Sequence, residues 1–104
     1  MKKTAASILL LLVLSAGYAA TKSKIDSLKQ FLPAVTGHQK VDILNALGWE
    51  LKDENTDEAF IFSKEALNSS EISHYSKGLA ESSRNLAALY ILTNNKEEAL
   101  KYAD

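Results

Sequence analysis

A chain of 104 residues, 46% of them apolar and 24% charged, is long enough for one small domain and too poor in proline and glycine for intrinsic disorder. Its formal net charge of −1 excludes the strongly basic surface on which nucleic-acid binding depends. Because the chain has no cysteine, a disulfide framework and a cysteine-linked lipid anchor are excluded, and the fold must be held by packing.

The first twenty residues have the layout of a secretory signal peptide. Two lysines precede an unbroken apolar run over residues 8–14, and small residues follow. The uncharged stretch around this run is shorter than the roughly 20 strongly apolar residues that span a membrane. We therefore predict that residues 1–20 are a signal peptide cleaved after Ala19 or Ala20, and that the protein is exported to the periplasm or secreted. An uncleaved signal anchor is the alternative.

Residues 21–38 are predicted to be a short N-terminal helix followed by a linker. Apolar residues recur at helical spacing from Ile25 to Leu32, which is typical of one buried face. Ser23 can cap this helix, and Pro33 ends it. The next residues, AVTGH, have the turn chemistry of a linker.

Residues 39–76 are predicted to form a first helical hairpin. Its helices cover residues 39–53 and about 57–69, with the polar turn between them and Thr56 as the N-cap of the second helix. Gly48, in the middle of the first helix, costs about 1 kcal/mol relative to Ala, which indicates the close approach of another helix. The residues assigned to the buried faces are Val41, Leu44, Leu47, Gly48, Leu51, Ala59, Phe62, Ala66 and Leu67.

Residues 77–104 are predicted to form a second hairpin whose second helix is truncated. The first helix covers residues 79–92, the segment TNNK turns the chain, and a helix begins near Glu97. Because no strand pattern appears anywhere, the predicted fold class is all-α. The residues assigned to one face of the first helix are Leu79, Ser83, Leu86, Ala87 and Tyr90, and the second helix begins with the apolar residues Ala99, Leu100, Tyr102 and Ala103.

The two predicted hairpins align with each other, with 40 residues between Ala59 and Ala99. Small residues recur where paired helices must approach closely, Gly48 or Ala87 in the first helix and Ala59 or Ala99 in the second. The stretch NLAALYILTNNKEEALKY resembles the tetratricopeptide repeat, whose pattern is Leu-Gly or Leu-Ala, an aromatic residue, a polar turn and Glu-Ala. The resemblance covers residues 41–104 and implies an α-solenoid of helical hairpins.

The first hairpin departs from the family pattern. Leu51 takes the aromatic position, Trp49 follows the Leu-Gly pair instead of preceding it, and the turn is one residue shorter; in the second hairpin, Ser83 replaces the early Trp. The interval also exceeds the usual period of about 34 residues. This longer variety is similar to the first repeats of exported or membrane-linked bacterial signalling proteins that carry a histidine kinase, a nucleotide cyclase or a helix-turn-helix output.

Solenoid repeats bury their faces on one another and need about three units for stability. The last residues offer Leu100, Tyr102 and Ala103 to a neighbouring helix. We therefore expect either further repeats beyond residue 104 or a homodimer that pairs through this open C-terminal end.

The resemblance implies a concave face that binds a protein or a peptide. Trp49 and Arg84 are its expected anchors, because such residues dominate the energetics of interfaces. The alternative is that Trp49 packs on the N-terminal helix near Ile25 and Leu28. The residues assigned to the concave face are Asp42, Asn45, Trp49, Lys52, Glu81, Arg84, Ala88 and Ile91.

No catalytic or metal-binding motif is recognisable. His38 and His74 lie in different predicted loops without ligand spacing, and no nucleophile motif or phosphate loop is found.

We expect a non-catalytic scaffold without a cofactor or a metal, the sensory or adaptor region of a bacterial signal-transduction protein. Its partner would be a protein, with no nucleic acid and with membrane contact only through the leader or segments beyond the chain. The alternatives are the regulatory front of a histidine kinase or nucleotide cyclase whose catalytic domain lies beyond residue 104, and a small self-associating helical domain.

Overall fold

The structure, a computed structural model, describes residues 21–103, so the predicted signal peptide lies outside the described residues. Within the described range the chain is helical and contains no strand, and the predicted all-α class is confirmed. No helix in this range is long and apolar enough to cross a membrane. The elements are α1 over residues 21–31, a 3-10 turn at Leu32–Ala34, α2 at Gly37–Glu50, α3 at Thr56–Ser73, α4 at Ser76–Leu92 and α5 at Lys96–Tyr102.

Helices α3 and α5 begin with the same capping arrangement. The side-chain oxygen of Asn55 accepts a hydrogen bond from the Glu58 amide at 3.1 Å. The side-chain oxygen of Asn95 accepts one from the Glu98 amide at 3.3 Å. Both first turns are acidic, which the helix dipole favours. The prediction of Thr56 as the N-cap is wrong by one residue. The side chain of Asn55 caps the helix, and Thr56 is the first helical residue.

The turns inside the two hairpins differ in length. In the first hairpin the backbone N–H of Asn55 donates to the backbone oxygen of Leu51 at 2.8 Å, four residues back. In the second hairpin the Asn95 amide donates to the oxygen of Tyr90 at 2.7 Å, five residues back. The additional residue is accommodated by Asn94, which adopts the left-handed conformation with φ 60°.

Only His74 and Tyr75 separate α3 from α4. His74 ends α3 in the left-handed conformation, with φ 54°, and the Tyr75 amide donates to the oxygen of Ser70 at 2.9 Å. Helix α3 is therefore 18 residues long and continues past the predicted end, while α4 begins before the predicted start. The long interval between the hairpins is thus taken up by helix and not by a loop.

The hydrophobic core runs from α1 to α4. Ile25 of α1 packs against residues of α2, α3 and α4, and a second cluster joins α2 to α3. All five α2 residues predicted to be buried are buried, as are Ala59 and Ala66, while Phe62 and Leu67 are half-buried. The predicted cap Ser23 lies inside α1, because the two described residues before it are also helical. The first cluster consists of Ile25, Leu47, Leu51, Ala59 and Leu89, and the second of Val41, Leu44 and Ala66.

The predicted buried face of α4 is wrong by about one position. Leu79 is 38% exposed, whereas Ser82 and Asn85 are buried together with Leu86 and Leu89. The reason is that α4 meets α2 and α3 through a partly polar stripe, and apolar periodicity does not register buried serine and asparagine. The remaining residues assigned to this face, Ser83, Ala87 and Tyr90, are half-buried.

Two glycines allow α2, α3 and α4 to approach closely. A Cβ at Gly48 would collide with the hydroxyl of Ser63, and a Cβ at Gly78 would lie 2.6 Å from Cγ1 of Val41. The hydroxyls of Ser63 and Ser70 are buried and have no hydrogen-bond partner in the described part of the chain. The close packing of α2, α3 and α4 therefore depends on small residues. The two buried hydroxyls carry a free-energy cost that they would not have in contact with water.

We expect Gly48→Ala to lower the free energy of unfolding by about 1–3 kcal/mol, because overpacking this contact outweighs the roughly 1 kcal/mol of helix propensity that Ala gains over Gly. In a Ser63→Ala background the same substitution should cost little, since the hydroxyl that the new Cβ meets is gone. Urea unfolding of the unmodified chain, the two single variants and the double variant is followed by circular dichroism. The four free energies of unfolding give the coupling free energy between the two positions. Equal costs in the two backgrounds would contradict the close contact.

Candidate functional site

Helices α2 and α4 lie side by side and are joined by two buried side-chain amides. Nδ2 of Asn85 donates to the backbone oxygen of Asn45 at 2.9 Å. Nδ2 of Asn45 donates in turn to the backbone oxygen of Gly78 at 3.1 Å. Asn45, predicted as a ligand contact, is thus buried and positions the two helices. Asn85 carries no apolar or repeat signal in the sequence, because the first helices of the two hairpins align with an offset of 39 residues and place Arg84 opposite Asn45.

Trp49 lies on the shared face of α2 and α4, with two cationic side chains close to its indole ring. Nζ of Lys52 lies 4.2 Å from the centroid of the indole ring. Cζ of Arg84, which comes from α4, lies 4.4 Å from the same centroid. Trp49 is 37% exposed, and the buried cluster that contains Ile25 includes Leu47 and Leu51 of the same helix region. Each cation–π contact at an exposed site contributes about 0.5–1 kcal/mol.

The charges around Trp49 are unevenly paired. Among the described residues no carboxylate forms an ion pair with Arg84, whose guanidinium donates to Oδ1 of Asn85 at 3.3 Å. Lys52 pairs with its exposed sequence neighbour Asp53 at 3.1 Å, a contact that contributes little. Glu50 pairs instead with Lys24 of α1 at 2.8 Å. Of the two cations beside the indole, Arg84 is therefore the one without an acidic partner among the described residues.

Asp42 is engaged at the other end of α2. The hydroxyl of Tyr75 donates to Oδ1 of Asp42 at 2.8 Å, and Nζ of Lys77 lies 4.0 Å from the same oxygen. The ring of His38 stacks on Tyr75 with 3.8 Å between the centroids. Asp42, predicted to face a ligand, thus joins α2 to the α3–α4 connection. Neither Tyr75 nor its contact with His38 was anticipated, because the two residues are 37 positions apart and carry no shared motif.

A groove of about 670 Å³ follows the outer side of α4. Its lining is mostly small or apolar and, among the described residues, includes Arg84 as its one charged residue. Ala88 and Ile91, both predicted for the binding face, line this groove, and Ile91 is 63% exposed. Glu81 is half-buried one turn before Arg84, without an ion pair to a described residue.

Three of the eight predicted face residues meet at one point, namely Trp49, Lys52 and Arg84. Ala88 and Ile91 share a groove with Arg84, while Asp42 and Asn45 make contacts within the protein. Over residues 21–103 no group of three or more His, Cys, Asp or Glu side chains is arranged to hold a metal ion. Comparison of the chain with protein-family models, with curated proteins and with solved structures gave no match.

The Tyr75–Asp42 contact predicts a specific alkaline titration. The hydrogen bond to Asp42 raises the pKa of Tyr75 above its usual 10.0, and partial burial and the charges of Asp42 and Glu81 act in the same direction. Because the folded-state pKa is the higher one, this contribution to stability is complete below about pH 10 and is lost as the pH rises through the folded value.

An ultraviolet titration of the tyrosines tests this contact. We expect Tyr75→Phe to remove a component that ionises above pH 10, and Asp42→Asn to move that component to lower pH. Asp53→Asn is the control, because Asp53 follows the opposite end of α2 and should leave the titration unchanged. A titration that Asp42→Asn does not alter would argue against the hydrogen bond.

Proposed function

We propose that this chain is a non-catalytic scaffold of tetratricopeptide-like helical hairpins that binds a protein or peptide on the shared face of α2 and α4. Equivalent features recur at an interval of 40 residues in both hairpins, which supports the repeat interpretation. They include the capping residues Asn55 and Asn95 and the buried alanines Ala59 and Ala99. Stacking paired helices of this kind leaves one face of the first helices open to a ligand.

The observation that carries the proposal is the exposed indole of Trp49 in contact with Lys52 and Arg84. Tryptophan and arginine are the residue types most enriched among interface hot spots. Both side chains are also held in place by contacts within the protein, which lowers the entropy cost of binding.

The cellular role is proposed from the sequence alone. The signal-peptide pattern of residues 1–20 and the similarity to first repeats of bacterial signalling proteins support an exported sensory or adaptor region. In that role the scaffold would bind its partner in the periplasm or outside the cell and pass the occupied state to the rest of a signalling system.

A peptide-display selection against the immobilised chain tests the proposal. We expect selected peptides to bind less tightly by about tenfold or more to Trp49→Ala and to Arg84→Ala, since truncating a hot-spot residue costs at least about 2 kcal/mol. Ile72→Ala is the matched control, because Ile72 is 73% exposed on α3 and outside the face. Selected peptides that bind all three variants equally, or no selected peptide at all, would contradict the proposed face.

Self-association is a second candidate, favoured by the apolar surface at the C-terminal end. Leu100 is 69% exposed and lines a pocket with Ile91 and Ala87, beside the buried Ala99. An apolar face of this kind is typical of an interaction site.

Light scattering over a range of concentrations tests this second candidate. We expect Leu100→Glu to shift any dimer toward monomer, because a charge would have to be buried at the interface, while Ile72→Glu should not. A monomeric unmodified chain, or an equal effect of both substitutions, would rule out pairing through this end.

A further inference from the structure

We propose that two copies of this chain pair through the groove on α4, antiparallel about a two-fold axis at Ser83, with Arg84 of each copy bound to Glu81 of the other. The proposal rests on the self-association described above as the second candidate function, and it names the contacts that would hold the pair. Three observations support it: the apolar groove, two unpaired charges of opposite sign beside it, and an exposed leucine that the symmetry would cover.

The groove on α4 has the lining that a second helix requires. It measures about 670 Å³, and Ala80, Ser83 and Ala87 recur along it at helical spacing. Small side chains at this spacing allow two helices to approach closely, because the distance between helix axes depends on the side chains at the contact. Among the described residues that line the groove, Arg84 is the only charged one. A helix placed there would therefore meet an almost uncharged surface.

Two charged side chains at this surface have no partner of opposite charge among the described residues. Glu81 is half-buried and forms no ion pair, and the guanidinium of Arg84 donates a hydrogen bond to Oδ1 of Asn85 at 3.3 Å. A guanidinium has five N–H donors, so most of them remain available to a carboxylate. An acidic peptide would also meet Glu81, and a basic peptide would also meet Arg84, whereas a second copy supplies a partner for both.

A two-fold axis at Ser83 brings these opposite charges together. Glu81 stands two residues before Ser83 and Arg84 stands one residue after it, so the acid of each copy lies next to the base of the other. In a two-fold interface every contact occurs twice, from residue i to residue j and from j to i. One unpaired acid and one unpaired base on α4 thus form two ion pairs in the dimer.

The same axis covers the exposed apolar side chains. Leu79 stands four residues before Ser83 and Ala87 stands four residues after it, so Leu79 of one copy lies against Ala87 of the other. Ala87 lines the apolar pocket that also contains Ile91 and Leu100. Leu79 is 38% exposed, and Ile91 and Leu100 are more exposed still. Pairing would remove these three side chains from water in both copies, which favours association.

Cysteine cross-linking tests the position of the axis. The chain has no cysteine, so Ser83→Cys introduces a single thiol. Two thiols on the axis would be close enough for a disulfide, in which the Cβ atoms lie about 3.5–4.5 Å apart. Ser76→Cys is the matched control, because Ser76 lines the same groove seven residues from the axis, where the two thiols would be roughly 20 Å apart. We expect mild oxidation to give a covalent dimer from Ser83→Cys alone, and equal yields from both variants would overturn the proposal.

Charge reversal tests the reciprocal ion pairs, with the dimer Kd measured by sedimentation equilibrium. Arg84→Glu and Glu81→Arg should each raise the Kd by at least about tenfold, because two attractive contacts become repulsive. An equimolar mixture of the two variants should form a heterodimer, and the double variant should pair with itself, since opposite charges meet again in both cases. Lys64→Glu is the matched control, because Lys64 is exposed on α3 and forms no ion pair with a described residue.

Circular dichroism confirms that each variant is folded. Charge reversals that act no more strongly than Lys64→Glu, or single variants that do not pair when mixed, would overturn the proposal. A dimer that Leu100→Glu disrupts and the charge reversals leave intact would also overturn it, while self-association through the C-terminal end would stand. A monomeric unmodified chain would rule out both forms of pairing. The peptide-binding scaffold is judged separately, by the display selection.

Discussion

The close approach of α2 to α3 and α4 is the constraint on which the rest of this structure depends. It is possible because Gly48 and Gly78 stand where any Cβ would meet a neighbouring side chain. Helix α2 consequently becomes the central element, in contact with α3, with α4 and with the 3-10 turn. Packing at this distance leaves no room for larger apolar residues, and small or polar ones such as Ser63 fill the contact in their place.

The polar part of this contact determines how α2 and α4 are aligned. Asn45 and Asn85 are buried, and each donates to a backbone oxygen of the neighbouring helix. Sliding α4 by one turn would leave both amides buried without partners, a cost of about 1–3 kcal/mol for each group. Apolar side chains tolerate such a shift much better, because dispersion contacts have little directionality. The buried amides therefore specify the alignment that brings Arg84 next to Trp49.

The same alignment determines which charged side chains lie near Trp49. Glu50 turns toward Lys24 of α1, and Asp42 is held by Tyr75 at the far end of α2. Lys52 and Arg84 are left beside the indole.

Much of the architecture follows from the sequence alone. All the α2 residues that the apolar spacing predicted to be buried are buried. The polar turns located both hairpins to within a few residues. Both predictions succeeded because periodicity and turn chemistry are local properties of the chain. The same reasoning failed on α4, where the buried side chains include Ser82 and Asn85 and the exposed ones include Leu79. Their burial depends on a neighbour 40 residues away, which no local pattern contains.

The candidate site divides in the same way. The assignment of Trp49, Lys52 and Arg84 to one face came from the resemblance to the tetratricopeptide repeat, and the sequence left open whether Trp49 packs on the N-terminal helix instead. The sequence could not show that Asn45 and Asp42 make contacts within the protein. Nor could it show that Tyr75, in the α3–α4 connection, donates a hydrogen bond to Asp42 of α2. The sequence by itself determined that the chain forms helices and which face of α2 is buried. Only the tertiary structure decided which charges meet at Trp49, because that depends on how distant helices pack and on which hydrogen bonds their buried amides require.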